Sequence, residues 1–333
     1  MKEFPPLPLP TLRLRTGTPA DLPRLAALLT EVHPDLPVAV ETLERRAARR
    51  SPGEPFECQL VEHEGRLLGM AEVRVPSDED HPGWLNVEFA TLEPALAPVL
   101  LTLAEALAQS QGAHTLITTV LDSWWEKLLY EERGYHEHDR MWPSTLDLTA
   151  LDFSRFAGQE AKARASGVVL RPLSSFGIFD EAGQRRLHRL WSAVERDIPS
   201  AVPLSEWSFE TWQRHVLPGL EGREGGLWLA EAPGGDWVGL TGLYEPIPSR
   251  PGTLHNDLTG VRPEWRGHSL GLALKLAAAR AALERGFTHV RTSNHSLNLP
   301  MLAINDALGF VRKTARIILM KKVGEENPGG SDR

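Results

Sequence analysis

The sequence predicts an α/β protein built as two tandem domains, and three observations carry that reading. Its 333 residues exceed what one hydrophobic core usually organises. A composition of 41% hydrophobic and 24% charged residues is that of an ordinary globular chain. The same order of strand and helix signals also occurs twice, which is how a duplicated domain reads.

In the first half, the strand-like LRLR at Leu12 leads to TPADLPRLAALL, where Thr18 or Asp21 caps a helix with Leu22, Leu25, Ala26 and Leu29 on one face. A hairpin follows, ECQLVEH and RLLGMAEVRV, turning at Glu64-Gly65, with Trp84 to Leu92 as a third strand. Next come a helix near Val99 to Ala108, a strand from Thr115 to Val120, a short helix through Trp124 to Glu131 and the turn Gly134-Tyr135.

The second half repeats this order. VVLRPL at Val168 precedes a helix through Gln184 to Val194, and the hairpin WLAEAPGGDWVGLTGLY turns at Pro233-Gly234-Gly235. The strand TLHNDLTGV, a long helix, the strand HVRTSN, a short helix and the turn Gly309-Phe310 complete it. The halves are offset by 170 at Gly69 and Gly239, and by 175 where Tyr130 to Tyr135 is set against Asn305 to Phe310. A drift of that size is what loop insertions leave in a duplication. The expected organisation is a loose leader at 1–10, domains at 11–148 and 167–323, a linker at 149–166 where Gly, Ala and Ser thin the pattern, and a disordered tail at 324–333.

Composition excludes several function classes. A single cysteine, Cys58, forms no disulfide within the chain, and no apolar run approaches the roughly 20 residues a bilayer needs, so cytoplasmic residence without membrane insertion is expected. A net charge of −8 argues against nucleic acid as a partner. His136 and His138 in HEH lack a spaced partner, so no metal site is expected. No G-x-S-x-G elbow appears, which disfavours a hydrolase of the α/β class. Monomer and homodimer both fit the sequence.

The strongest chemical signal lies in TGVRPEWRGHSLGLALKLAAARAALERG, from Thr259 to Gly286. A strand ending at Val261 turns into a helix whose Leu272, Leu276, Ala279 and Leu283 recur at helical spacing. The N–H groups of the first turn, from Gly267 through His268, Ser269, Leu270, Gly271 and Leu272 to Ala273, then form an anion site. Gly267 and Gly271 admit close approach of an anion, and Arg266 adds positive charge. The implied ligand is a pyrophosphate. A P-loop would need Lys-Ser or Lys-Thr after the second glycine, and a dinucleotide fold would need G-x-G-x-x-G; neither pattern is present.

Arg266-Gly267-His268-Ser269-Leu270-Gly271 resembles the [Q/R]-x-x-G-x-[G/A] signature of the GNAT superfamily of N-acetyltransferases, with Ser269 in place of the usual central glycine. The hairpin, the strand HVRTSN and the segment NHSLNLPMLAINDALGF, ending in Leu-Gly-Phe, extend the resemblance over the second half. It implies two GNAT-like domains, each a mixed, mostly antiparallel sheet flanked by helices, and acetyl-CoA as co-substrate without a metal. The first half resembles the superfamily in outline only: after Thr91 it reads LEPALAPVLLTL, without Arg or Gly and with Pro98. There Tyr130 stands where many such enzymes keep a tyrosine that protonates the leaving thiolate, while the second half has Asn305. One competent turn in two such halves is similar to the tandem organisation of mycothiol synthase-like proteins.

The activity so implied is transfer of an acetyl or other short acyl group from coenzyme A directly to a primary amine, on a small molecule. The resemblance assigns polarisation of the thioester carbonyl to the backbone N–H of Val261. Asp257 is the first candidate base and Glu245 the second, each also readable as a solvated strand carboxylate. Asn294, Asn298 and Asn305 are placed to position the cofactor or a water, or to cap strand and helix ends. In ERDIPSAVPLSEWSFETWQRHV, the residues Asp197, Glu206, Trp207 and Trp212 set carboxylates beside aromatic faces, which suits an amine, or else are surface acids and core Trp. The alternative is a catalytically silent module of the same fold that binds acyl-CoA or a metabolite.

Overall fold

The computed structural model describes residues 12–324, apart from 49, 51–52, 77–80, 178, 200–205, 221 and 248–249. The expected leader, and the tail beyond 324, lie outside the described residues.

The chain divides into two compact units: one holds the chain up to His138 plus the stretch from Ile317, the other Asp139–Arg316. The first unit starts with β1 (Leu12–Thr16), α1 (Leu22–Val32), α2 (Val40–Ala48) and the hairpin of β2 (Phe56–His63) and β3 (Arg66–Arg74). Glu64 and Gly65 both take left-handed φ, 49° and 81°, as a two-residue hairpin turn requires. Then come β4 (Trp84–Thr91), α3 (Ala97–Ser110), β5 (Thr115–Leu121) and α4 (Glu126–Glu132). β4 is antiparallel to β3, but runs parallel to β5 only over Trp84 to Asn86, and beyond Asn86 the two strands diverge.

The second unit takes most of β6 (His136–Asp147), then α5 (Ala157–Ala165), β7 (Val169–Pro172), α6 (Glu181–Glu195), α7 (Phe209–Leu220), β8 (Leu227–Glu231) and β9 (Trp237–Gly242). Next are β10 (Glu245–Pro246), β11 (Thr253–His255), β12 (Thr259–Val261), α8 (Leu270–Glu284), β13 (His289–His295), α9 (Leu299–Leu308) and β14 (Val311–Arg312). The last strand, β15 (Arg316–Lys322), belongs to the first unit from Ile317 and lies beside β5. There Val323 N–H donates to His114 O (2.8 Å) and Lys321 Nζ to Glu105 Oε1 (2.9 Å).

Three features differ from the sequence reading. The strand after α4 lies beside β13 of the second unit, and the strand after α9 lies beside β5 of the first, so the halves exchange their final strands. Residues 149–166 are not a bare linker: Asp152 caps a 3-10 turn at Phe153–Phe156, and α5 follows, tied to α8 by Glu160 and Arg280 at 2.5 Å. TLHNDLTGV, read as one strand, breaks between His255 and Thr259; β11 runs parallel to β13, whereas β12 pairs with β9. The helices α2 and α7 are absent from the sequence reading, although Ser208 caps α7 by accepting from Thr211 N–H (3.1 Å).

The glycines that reveal the duplication share one physical cause. A Cβ on Gly69 would come within 2.9 Å of Leu100 Cδ1, and one on Gly239 within 3.2 Å of Leu274 Cδ1. In each unit a helix closes onto the hairpin through a leucine, and only glycine leaves the room.

Candidate functional site

β11 and β13 part at Asn256, whose backbone makes the last contacts with β13: its N–H donates to Arg291 O (2.8 Å), and its carbonyl accepts from Thr292 Oγ1 (3.2 Å). Its buried side chain reaches the other way, donating through Nδ2 to Gly242 O (2.9 Å) and Thr259 Oγ1 (3.2 Å). From there β12 stays with β9 and leaves a wedge toward β13. Arg262 N–H donates to Val238 O (2.8 Å), and antiparallel bonds alternate, so the Val261 N–H points away from β9 into this wedge. The Val261 carbonyl accepts from Arg266 Nε (3.2 Å).

A 3-10 turn at Pro263–Trp265 then leads to α8. Gly267 (φ 81°) and Ser269 (φ 60°) both adopt left-handed backbone, which turns successive N–H groups toward one concavity. Ser269 is the helix N-cap without a capping side-chain bond. The N–H groups from Gly267 to Leu272 have no acceptor among the described residues, whereas Ala273 N–H is taken by Ser269 O (3.0 Å). Leu270 and Ala273 are buried and offer only backbone. A Cβ on Gly271 would stand 3.6 Å from Ile304 Cδ1 and 3.9 Å from Val261 Cγ2, so this glycine faces the mouth of the wedge. These features fit a diphosphate on α8 with an arm running back along β12. Because Ser269 holds a conformation that costs an L-residue about 1 kcal/mol, Ser269→Gly is expected to raise unfolding free energy by about that amount, read from the urea midpoint.

The other sequence candidates separate on inspection. Asp257 is exposed and accepts from Tyr244 Oη at 2.8 Å. Glu245 lies in β10 opposite His255, and its side chain is outside the described set. Asn298 is the N-cap of α9, and its side chain accepts from Met301 N–H (3.3 Å). Asn305 is buried and donates Nδ2 to Asn294 Oδ1 (2.7 Å), supporting the half-buried Asn294. His268 is exposed, its Nδ1 3.2 Å from Trp265 O.

The expected acceptor residues change role as well. Asp197 pairs with Arg266, so the guanidinium meant for phosphate is already shared. Glu206 forms an exposed pair with Arg196 at 3.3 Å, and Trp207 packs against His215. Trp212 is 0% exposed, inside the cluster with Leu187, Leu190, Trp191 and Phe209, so it is core.

Sequence reasoning missed three residues. Glu195 ends α6, where burial pushes its carboxyl above the usual range, Trp191 opposes the shift through a hydrogen bond, and Asp257 adds to it through its charge. Its neighbour Val194 presses on β12: a Cβ on Gly260 would lie 2.1 Å from Val194 Cγ1. Gly260→Ala is therefore expected to cost about 1–3 kcal/mol, measured by denaturant unfolding. The third is Lys275, buried in α8, whose Nζ donates to Asn256 Oδ1 at 2.5 Å. In sequence, a glutamate and a lysine on amphipathic helices read as solvent-facing charge.

The first unit shows what a closed wedge looks like. Val87 and Phe89 of β4 turn their backbone groups away from β3, and the buried Tyr130 hydroxyl donates to Val87 O (3.3 Å) and meets the Phe89 N–H. Tyr130 thus fills the space where an arm would enter, and burial pushes its phenol well above the ordinary range. Its hydroxyl hydrogen is directed at Val87 O. Asn305 is too short to do the same in the second unit.

Neither family models nor curated proteins match the chain. Among solved structures it is similar to a GCN5-related N-acetyltransferase from Sphaerobacter thermophilus, at TM-score 0.70 and 20% identity over 94% of this chain and 96% of that one. A tandem GNAT protein from the clavulanic acid biosynthesis pathway gives TM-score 0.67 and 21% identity, over 95% of this chain and 100% of that one. A GCN5-related glucosamine N-acetyltransferase region of a fungal GH3 β-N-acetylglucosaminidase gives 0.68 and 13%, over 93% of this chain and 38% of that one. The chain has the tandem GNAT fold. Among the described residues no group of three His, Cys, Asp or Glu is placed to hold a metal, and no helix is long and apolar enough to cross a membrane.

Proposed function

We propose that this chain, a tandem GNAT fold, transfers an acetyl or other short acyl group from coenzyme A to a primary amine on a small molecule, by direct transfer in its second unit. One observation carries the reading: the unclaimed N–H groups from Gly267 to Leu272 adjoin the wedge into which the Val261 N–H points. When bound, the donor supplies an acyl group activated as a thioester. The α8 N–H groups hold its diphosphate, and Arg266 contributes charge while tethered to Asp197. The Val261 N–H faces the thioester carbonyl and stabilises charge that develops on its oxygen.

The amine nitrogen forms the new C–N bond as the C–S bond breaks, and the ammonium proton must go to a base. Glu195 suits that task better than Asp257, because a carboxyl raised by burial takes up a proton nearer neutral pH. The leaving thiol, of ordinary pKa about 8.5, departs without a dedicated acid. Accordingly kcat/KM is expected to rise with pH through the raised Glu195 ionisation. Glu195→Gln should lose that limb and about 100-fold in kcat. An unchanged profile would remove Glu195 from the mechanism.

Asn305, which carries no ionisable proton, favours a second reading, a silent module that binds acyl-CoA. Coenzyme A release with a panel of amines separates the two: a silent module binds the donor and releases none.

A further inference from the structure

Lys275 makes none of the donor or acceptor contacts described above. It is 5% exposed, and its ammonium has Asn256 Oδ1 as its hydrogen-bond partner. Around it lies a small apolar cavity. The groups that face it include Leu146 of β6, Leu148 just after it, Leu243 after β9, Val290 of β13, and Leu308 and Phe310 at and after the end of α9; apart from Lys275 itself, no residue lining it titrates. The Phe310 ring centroid is 5.3 Å from Nζ. A buried cation without a carboxylate partner is costly, so its retention in a helix needs a reason.

The first unit shows that the fold does not demand it. There Leu100 closes onto Gly69 as Leu274 closes onto Gly239, so the residue after each leucine holds the corresponding place. In the first unit that residue is Leu101, fully buried and apolar. The lysine appears only in the unit with the open wedge. It bonds to the residue at the wedge's apex, which ties β13 by its backbone and β9 and β12 by its side chain.

We propose that Lys275 is a positioning residue for the acyl-donor slot: by fixing the Asn256 amide it holds the hinge from which β12 diverges from β13. Its use for the donor rests on the acyl-CoA reading above, but the hinge itself does not. Burial lowers the Lys275 ammonium from 10.5 to about 7, so an opening that exposes it takes up a proton between those values. Opening of the hinge then becomes easier as pH falls from 10.5 to 7, approaching about tenfold per pH unit midway.

The test is amide hydrogen exchange of 256–261 in the full chain, as wild type, Lys275→Met and Lys275→Gln, across pH 7 to 9 and corrected for intrinsic rates. Protection of this segment in the wild type should rise with pH. Met and Gln, neither of which titrates, should both lose the pH dependence while leaving β2 and β3 unchanged, and Gln, which keeps a donor for Asn256 Oδ1, should be protected about tenfold better than Met at each pH. Wild-type protection that does not change with pH, or equal protection in Met and Gln, would overturn the hinge. A parallel calorimetric titration with acetyl-CoA should show about tenfold weaker binding by Met than by Gln. If the wild type binds none while the exchange pattern holds, the donor reading fails and the hinge stands. If the wild type binds and Met binds equally, the hinge does not serve the slot.

Discussion

Gly271→Trp is expected to abolish acetyl-CoA binding, at least about 100-fold in Kd or roughly 2.7 kcal/mol, while circular dichroism and cooperative unfolding persist. The cause is local. Gly271 stands in the first turn of α8, between Val261 on one side and Ile304 on the other, and a Cβ there meets both at ordinary contact distance. Gly271→Ala should therefore bind like the wild type, whereas an indole must occupy the mouth of the wedge and cover the N–H groups of Leu270 to Leu272. Arg266→Ala should do less. Its guanidinium already pairs with Asp197 and the Val261 carbonyl, so about tenfold weaker binding and a shallower salt dependence are expected. Calorimetric titration of the three variants at two ionic strengths checks this. Undiminished binding by the Trp variant would place the donor elsewhere and remove the basis of the proposed activity.

The turn leading into α8 was legible because its geometry is written in backbone-permissive residues. Gly267 takes left-handed φ, a requirement that leaves a local trace in sequence, and Gly271 keeps the mouth of the wedge open. Ser269 partly hides the trace by accepting a left-handed conformation that glycine would take freely. The acceptor region was less legible because its signal is residue type without direction. Trp212 and Trp207 stand on one segment, yet the first is sealed among Leu187, Leu190 and Phe209, while the second is 36% exposed. Asp197 and Glu206 look like free carboxylates until tertiary structure supplies Arg266 and Arg196.

Long-range pairing was the other limit. Nothing local distinguishes a strand that closes its own sheet from one that closes its neighbour's, so the exchange of β6 and β15 left no mark in either strand. The break at Asn256 is similar: TLHNDLTGV alternates as a strand should, and what splits it is the side-chain network of Asn256 with Gly242, Thr259 and Lys275. Lys275 itself sits in LALKLAAAR, where a lone cation reads as the exposed stripe of a helix. Burial of that cation is visible only once α8 is packed.

That burial leads to the second large effect, a stability that depends on pH through a single residue. In the unfolded chain Lys275 titrates at its ordinary 10.5, and in the fold at about 7. Between these values the unfolded state binds more protons than the native state, so stability rises with pH across this window and is flat in this residue's contribution below it. Midway the slope approaches about 1.4 kcal/mol per pH unit. Lys275→Met removes the contribution and leaves Asn256 Oδ1 with only the longer contact from Thr259 Oγ1 (3.4 Å), a loss of about 1–3 kcal/mol. At pH 7 the deprotonation cost is larger than that loss, so the Met variant is expected to be the more stable protein by about 2 kcal/mol. Its advantage should shrink and then reverse as pH rises toward 10. All other titrating groups are common to both proteins and cancel in the difference. Urea unfolding of the pair at a series of pH values measures it directly, and a gap independent of pH would mean that Lys275 keeps its charge in the fold. Combined with protection of 256–261 that is lower in Met than in Gln, a gain in global stability of Met over the wild type at pH 7 separates a residue kept for the geometry of the slot from one kept for the strength of the core.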